Sequence, residues 1–135
     1  VTVTVVMTAN VDQPGTYAGA VTIGENTPYT VPPVPVTFEV QPPTTWGKLM
    51  GTVTGTSCAG VAAPLAGAVV QVDSWASSLT FSTDAEGRYA YWLDRRNNPL
   101  TLIVAKDGWK PQTRVTRINA STPTVEDFTL SPIKC

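Results

Sequence analysis

The residues from Pro64 to Tyr89 constrain the fold of this chain more than any other part of it. Within them, Ala68–Asp73 alternates between two sets of positions with the period of a half-buried β-strand. Leu79–Thr83 is rich in β-branched and aromatic residues and predicts a second strand. Asp84–Gly87 then predicts a tight turn, because glycine takes a positive φ without strain. Together these patterns predict consecutive antiparallel hairpins.

Strand patterns of this kind recur along the whole chain. Further strands are predicted at Arg88–Leu93, Leu100–Ala105, Trp109–Ile118 and Val125–Leu130, and no helical period persists for ten residues. The 12 prolines and 10 glycines lie among short apolar runs, as in chains with many turns. Hydrophobic residues make up 42% of the chain and charged residues 14%, which excludes a disordered composition. The sequence therefore predicts an all-β fold.

The composition also excludes several classes of function. Because there is no histidine, a Ser-His-Asp or Cys-His catalytic centre cannot form within this chain. The net charge is −1 and the nine basic residues are scattered, so we expect no nucleic-acid surface. No apolar run approaches the roughly 20 residues of a membrane span. The chain starts at Val1 without a recognisable signal peptide, which we interpret as a processed product or an excised part of a longer protein.

Five short motifs follow one another between residues 44 and 131. They are Gly51-Thr-Val, Pro64-Leu-Ala-Gly67-Ala-Val, Thr83-Asp-Ala-Glu-Gly87-Arg-Tyr89, Leu102-Ile-Val-Ala-Lys-Asp-Gly108-Trp109 and Asp127-Phe-Thr-Leu130. In this order they resemble the carboxypeptidase regulatory-like domain, a family close to the Cna B-type repeats of surface proteins. The resemblance implies a transthyretin-like (prealbumin-like) β-sandwich of about seven strands over residues 46–135. It also implies an accessory module without catalytic residues.

Residues 1–40 resemble the last three strands of the immunoglobulin-like modules of bacterial secreted proteins. The resemblance is carried by Pro14-Gly15-Thr16-Tyr17 and Val36-Thr-Phe-Glu-Val40, and the predicted strands are Val1–Thr8, Thr16–Ile23 and Pro35–Val40. Residues 41–45 are predicted to form a stiff, proline-rich linker. Three strands make a poor sandwich, so we expect the second domain, a partner copy or absent upstream chain to cover them.

The two cysteines, Cys58 and Cys135, follow the first and the last predicted strand of the larger domain. In the transthyretin-like arrangement these two strands are neighbours that run parallel, so the resemblance implies a disulfide between the two residues. The alternative is a pair of free thiols. Two cysteines without a histidine cannot form an ordinary tetrahedral zinc site. A disulfide would indicate an extracellular or periplasmic location.

Asp84 and Glu86 are paired carboxylates in the predicted hairpin turn. Aspartate is favoured in turns because its side chain accepts a hydrogen bond from the backbone two residues on. We therefore interpret the pair as structural, with weak calcium binding and acid–base catalysis as alternatives. An EF-hand loop needs five or six spaced ligands, and this turn offers two or three. No metal site beyond this weak calcium candidate and no cofactor is expected.

Four tryptophans require an explanation in a chain of this length. Trp109 occupies a position that is aromatic in the resembled family and is predicted to pack. Trp46 lies at the linker. Trp75 falls in a polar loop and Trp92 points away from the face shared by the predicted core tyrosines, so these two are the candidates for an exposed ligand-binding surface. The alternative is that they cap the edge of the sandwich or fill a domain interface.

The sequence as a whole predicts a non-catalytic accessory domain of a secreted, multidomain protein. The combination of modules resembles the C-terminal regions of secreted subtilisin-like serine proteases, which implies a protease as the parent. The domain would act as a structural spacer or bind the parent's target, possible partners being a polysaccharide, a protein substrate and the other domains of the parent. One alternative is a carbohydrate- or cell-wall-binding module; another is an adhesin- or pilin-like subunit that dimerises through its incomplete N-terminal module.

Overall fold

A computed structural model describes the chain except for seven residues. These are Val1, Val3, Val5, Met7, Ala9, Glu25 and Thr27. The chain forms two compact units, Val1–Pro43 and Thr44–Cys135. The assignment of these units to an immunoglobulin-like tail and a carboxypeptidase regulatory-like domain stays a prediction.

The first unit contains a two-stranded antiparallel sheet. Strand β1 is Gly15–Val21 and strand β2 is Val34–Val40, with Gly15 opposite Val40 and Val21 opposite Val34. These strands correspond to the second and third strands predicted from the sequence, shifted by one or two residues at their ends. The strand predicted at Val1–Thr8 includes four residues outside the described part of the chain.

The second unit has two sheets, and the first is built around one long strand. Strand β3, Trp46–Thr56, is long because eleven residues keep a strict alternation of buried and half-buried positions. Its antiparallel partners are β4 (Ala62–Pro64) and β7 (Arg88–Asp94), and its parallel partners are β10 (Thr124–Val125) and β11 (Phe128–Leu130).

The second sheet has four antiparallel strands in the order β6–β5–β8–β9. Their bounds are Val69–Asp73 for β5, Ser78–Ser82 for β6, Leu100–Ala105 for β8 and Gln112–Thr116 for β9. A 3₁₀ turn at Arg95–Asn97 connects β7 of the first sheet to β8 of the second. Among the described residues, no helix has the length and apolar character needed to cross a membrane.

Apolar side chains from both sheets form one buried cluster, so this unit is a β-sandwich. The largest fully buried side chains are Phe128, Leu49, Leu100, Leu102, Leu130, Val53, Val70, Val72 and Val104. At one side of the sandwich Phe81 of β6 stacks on Tyr91 of β7, with ring centroids 5.1 Å apart. The prediction of an all-β sandwich is confirmed.

The last strand departs from the sequence-based expectation of one continuous strand at Val125–Leu130. It is divided at Glu126–Asp127, where an Asp127 side-chain oxygen accepts a hydrogen bond from the backbone N–H of Thr52 at 2.8 Å. The carboxylate thereby takes the place of a backbone acceptor. The pairing register is the same on both sides of the interruption, with Val125 opposite Met50 and Phe128 opposite Val53. The interruption lies directly against Gly51, where an added Cβ would lie 1.9 Å from the carbonyl oxygen of Glu126.

Other parts of the sandwich also differ from the predictions. Ala62–Pro64, where no strand was predicted, pairs with β3, and Trp109–Ile118 is a strand only at Gln112–Thr116. With the divided last strand, the described sandwich has nine strands where about seven were expected.

The disulfide implied by the resemblance is confirmed. Cys58 and Cys135 are bonded, and 77 residues of sequence separate them. Each cysteine follows the end of one member of the parallel pair β3–β11, in which Phe128 lies opposite Val53. Parallel strands bring the ends that they share to the same edge of the sheet, which places the two sulfur atoms within bonding distance.

We predict that Gly51→Ala destabilises the second unit by roughly 1–3 kcal/mol, the usual cost of forcing extra atoms into a packed region. The reason is that the new Cβ can be accommodated only if the backbone at Glu126 moves. Denaturant unfolding followed by tryptophan fluorescence measures the change. Gly19→Ala is the control, since an added Cβ there meets nothing within 4 Å. Equal stability of Gly51→Ala and the wild type would contradict the described packing.

We predict that replacing both cysteines by serine lowers the free energy of unfolding by roughly 2–4.5 kcal/mol. The upper value is the loop-closure entropy of a cross-link across a loop of this length. Urea unfolding of wild-type and doubly substituted protein, each with and without a reductant, measures the loss. Reductant should destabilise only the wild type; an effect on the serine variant would point to a cause other than the disulfide.

Candidate functional site

Trp75 lies at the tip of the hairpin that joins β5 to β6. The hairpin loop is held by Ser74, whose backbone N–H donates to the carbonyl of Ser77 at 2.9 Å. The Ser74 hydroxyl oxygen also accepts from the backbone N–H groups of Ala76 and Ser77, at 3.3 and 3.1 Å. These bonds form a compact serine turn. The turn presents Trp75 to solvent, and the side chain is 76% exposed.

The indole of Trp75 is exposed but anchored. Its Nε1–H donates to the backbone carbonyl oxygen of Arg96 at 2.8 Å. Arg96 belongs to the 3₁₀ turn, which is capped by Asp94. The hydrogen bond therefore links the β5–β6 loop of the second sheet to the β7–β8 connection between the sheets, at the same end of the sandwich. An exposed ring in this position has restricted orientation, while most of its surface stays open to a ligand.

The 3₁₀ turn whose Arg96 carbonyl anchors Trp75 also carries charged side chains. Asp94 accepts from Arg96 through Nε at 2.9 Å, Nη2 at 2.6 Å and the backbone N–H at 2.9 Å. These hydrogen bonds hold the pKa of Asp94 below its usual range, those of the side chain most strongly. The Arg96 side chain nevertheless stays 77% exposed, and the Asp94 side chain only 15%. Arg95 is exposed.

A second carboxylate, Asp73, lies at the end of β5 next to the hairpin loop. It accepts hydrogen bonds from the hydroxyl of Ser78 at 2.6 Å and from the amide of Gln71 at 3.0 and 3.1 Å. The bond from Ser78 and then those from Gln71 lower the pKa of Asp73. Both carboxylates near Trp75 are thus ionised at neutral pH and already engaged.

The other predicted aromatic residue, Trp92, lies on a different sheet. It is half-buried on β7, where it faces Lys48 of β3 across the strand pair. Trp46 is also half-buried and lies opposite Asp94 on the same pair of strands. Trp75 and Trp92 therefore approach this end of the sandwich from two sheets, and a shared surface stays a prediction. Trp109 packs against the core, as expected.

Asp84 and Glu86, the weak calcium candidates, lie in the turn before β7. An Asp84 side-chain oxygen accepts from the backbone N–H groups of Glu86 at 3.0 Å and Arg88 at 2.8 Å. This is the structural role proposed for the aspartate. Outside the seven residues named above, the structure has no group of three acidic, cysteine or histidine side chains arranged to hold a metal ion.

A groove of about 520 Å³ lies away from Trp75. Its lining residues include Met50, Thr52, Asp84, Arg88, Ala90, Val125 and Asp127. It mixes an apolar floor with charges of both signs, so it points to no single ligand chemistry. We therefore take the anchored, exposed Trp75 as the candidate site.

Sequence reasoning missed two features of the chemistry. The first is the contribution of Arg95 and Arg96 on the 3₁₀ turn. The second is a polar network between the sheets, in which the Glu126 carboxylate accepts from Arg114 at 2.8 Å and from the Thr116 hydroxyl at 2.7 Å. The Tyr89 hydroxyl donates to the Glu126 carbonyl at 2.5 Å. The contacting residues are 10, 12 and 37 positions apart in sequence, so no local pattern indicates their contacts.

The ionisation states in this network follow from burial and hydrogen bonding. Partial burial raises the pKa of Glu126, but the hydrogen bonds from Arg114 and Thr116 together outweigh it and leave the pKa below its ordinary value. Burial raises the pKa of the Tyr89 hydroxyl far above its ordinary value, and the Glu126 and Asp127 carboxylates raise it further. Glu126 is therefore anionic and Tyr89 neutral at physiological pH.

Comparison with known proteins adds no family. No protein-family model matches the chain, and no curated protein matches it. One similar solved structure is 3-chlorocatechol 1,2-dioxygenase from Rhodococcus opacus 1CP, with 14% sequence identity and a TM-score of 0.45 over 64% of this chain and 61% of that one. Another is the Bacillus anthracis TIE protein, with 14% identity and a TM-score of 0.49 over 76% of this chain and 19% of that one.

A third similar structure is a 9R-lipoxygenase from Cyanothece PCC8801, with 19% identity and a TM-score of 0.37 over 68% of this chain and 17% of that one. The chain spans less than two thirds of the length of each of these three proteins. The assignment to an all-β sandwich rests on the strand pairing described above.

We predict that acid destabilises this unit partly through Glu126. Because the pKa of Glu126 is lower in the folded state, its contribution to stability is fully present above the unfolded-state pKa of about 4.5. It is lost as the pH falls through the folded-state pKa. Glu126→Gln should therefore be less stable than the wild type at pH 7, and the difference should shrink at pH 3.

Urea unfolding at the two pH values measures this difference. Glu86→Gln, which removes an exposed carboxylate outside the network, is the matched control. If Glu126→Gln showed the same loss of stability at both pH values, ionisation of Glu126 would not be the cause.

Proposed function

We propose that the unit Thr44–Cys135 is a non-catalytic binding module that holds a polysaccharide target against Trp75. The observation that carries the proposal is the state of this side chain, which is 76% exposed and yet fixed by a 2.8 Å hydrogen bond to Arg96. A flat aromatic ring offers a large apolar area for stacking on a sugar ring. Because its orientation is already restricted, binding costs little side-chain entropy.

The competing spacer function requires Trp75 and Trp92 to be buried. The exposure of Trp75 favours binding, and the anchoring of its indole favours a recognition surface over a merely solvated loop. An enzymatic function would need a different centre from the common hydrolytic triads, since the chain has no histidine.

The wider setting of the module is part of the same proposal. We infer a transthyretin-like sandwich of the carboxypeptidase regulatory-like family, preceded by part of an immunoglobulin-like module. The parallel pairing of β3 with β10 and β11 supports this inference. The Cys58–Cys135 disulfide supports an extracellular location. A secreted multidomain parent, with a subtilisin-like protease as the resembled type, would use the module to hold its target.

We predict that Trp75→Ala weakens polysaccharide binding by at least about thirtyfold, which corresponds to the ~2 kcal/mol of a binding hot spot. Tryptophan fluorescence and calorimetry during titration with soluble polysaccharides measure the loss, and pull-down assays extend it to insoluble polysaccharides and cell-wall fragments. Ile133→Ala is the control, because Ile133 is 56% exposed and donates its backbone N–H to Gly108, past the end of β8 opposite to the site. An unfolded polypeptide, titrated as an alternative ligand, should not bind to the module.

Two results would contradict the proposal. One is the absence of saturable binding to every polysaccharide, and the other is wild-type affinity in Trp75→Ala. Trp92→Ala, measured in parallel, determines whether the second aromatic residue belongs to the same surface.

A further inference from the structure

Of the charged side chains at the end of the sandwich that carries Trp75, the carboxylates are occupied and the arginines still have unused hydrogen-bond donors. Both nearby carboxylates are occupied: Asp94 accepts three hydrogen bonds from Arg96, and Asp73 accepts three from Ser78 and Gln71. A carboxylate has about four acceptor positions, so each has little capacity left for a ligand. These two carboxylates are therefore largely satisfied within the protein.

The N–H donors of Arg95 and Arg96, in contrast, are largely unused. A guanidinium has five N–H donors, and the ion pair with Asp94 involves only the Nε and Nη2 atoms of Arg96. The rest of that exposed guanidinium faces solvent. Arg95, one residue earlier on the 3₁₀ turn, is exposed and forms no ion pair within the described part of the chain. The carbonyl that anchors the Trp75 indole belongs to this same turn.

We propose that the module recognises an acidic glycan, specifically a polymer of uronic acid. The sugar ring stacks on Trp75, and its carboxylate accepts hydrogen bonds from Arg95 and Arg96. This inference rests on the proposed function and names the class of its ligand. Arginine suits the role because its planar donor pairs match the two oxygens of a carboxylate.

Asp94 acts as a positioning residue in this site. It holds Arg96 through two side-chain bonds and caps the turn through the backbone N–H of Arg96. A fixed guanidinium loses less freedom on binding than a mobile one. A neutral sugar would stack equally well on Trp75 but would leave the guanidinium donors to water, so the charge of the ligand determines the affinity difference.

Polygalacturonate and its fully methyl-esterified form provide the test, because they share the sugar chain and differ in charge. The wild type should bind polygalacturonate at least about tenfold more tightly than the ester, as expected for a charge-assisted hydrogen bond. Arg95→Gln and Arg96→Gln should each remove most of this preference, by lowering the affinity for polygalacturonate toward that for the ester. Raising the salt concentration should weaken only the polygalacturonate complex.

Lys110→Gln is the matched control, since it removes an exposed positive charge near the opposite end of β8. Arg96→Gln retains the backbone carbonyl that anchors Trp75, so a loss in this variant reports on the guanidinium. Equal, Trp75-dependent binding of both polymers would overturn the acidic-ligand inference and leave the proposed function standing. If neither polymer nor any neutral glycan bound, the proposed function would fail, and the inference with it.

Discussion

The sandwich depends on the close packing of later parts of the chain against the buried face of β3. Its buried face carries Gly47, Gly51 and Gly55, where an added Cβ would lie within 2.5 Å of Asn119, Glu126 or Trp109. Glycine at these positions allows the last part of the chain to lie directly against the first strand. The same part of the chain forms the parallel pairs with β10 and β11, which position the disulfide and the Glu126 network.

The sequence predicts those parts of the fold in which local pattern and burial agree. Leu100–Ala105 alternates strictly, and the structure has a strand with the same bounds. The division of the last strand could not be predicted, because it depends on an Asp127 carboxylate meeting the backbone of Thr52, 75 residues away. The site shows the same limit. Trp75 was a candidate because it lies in a polar loop. Its hydrogen-bond partner, however, is the backbone carbonyl of Arg96, and any residue type provides a backbone carbonyl, so the sequence does not indicate this contact.

An exposed tryptophan leaves a large apolar area in water, which is unfavourable in free energy unless the ring binds a ligand or a partner. Here the surroundings make the ring more than a solvated loop residue. The serine turn fixes the backbone beneath it, the indole N–H donates to the backbone carbonyl of Arg96, and the guanidinium of that arginine is held by Asp94. Restricted geometry combined with open surface is the condition in which a few residues can dominate binding.

The disulfide gives the second unit a short path for mechanical load. β3 ends two residues before Cys58, so tension applied at Thr44 and Cys135 travels along β3 and crosses the sulfur–sulfur bond. The segment between the cysteines is bypassed, meaning that it carries none of this tension. Pulling therefore cannot release the extension of that segment, on the order of 250 Å. The hairpin with Trp75 and the turn with Arg96 both belong to this bypassed segment. A target bound there would stay attached to a folded surface even while the ends of the unit are pulled apart.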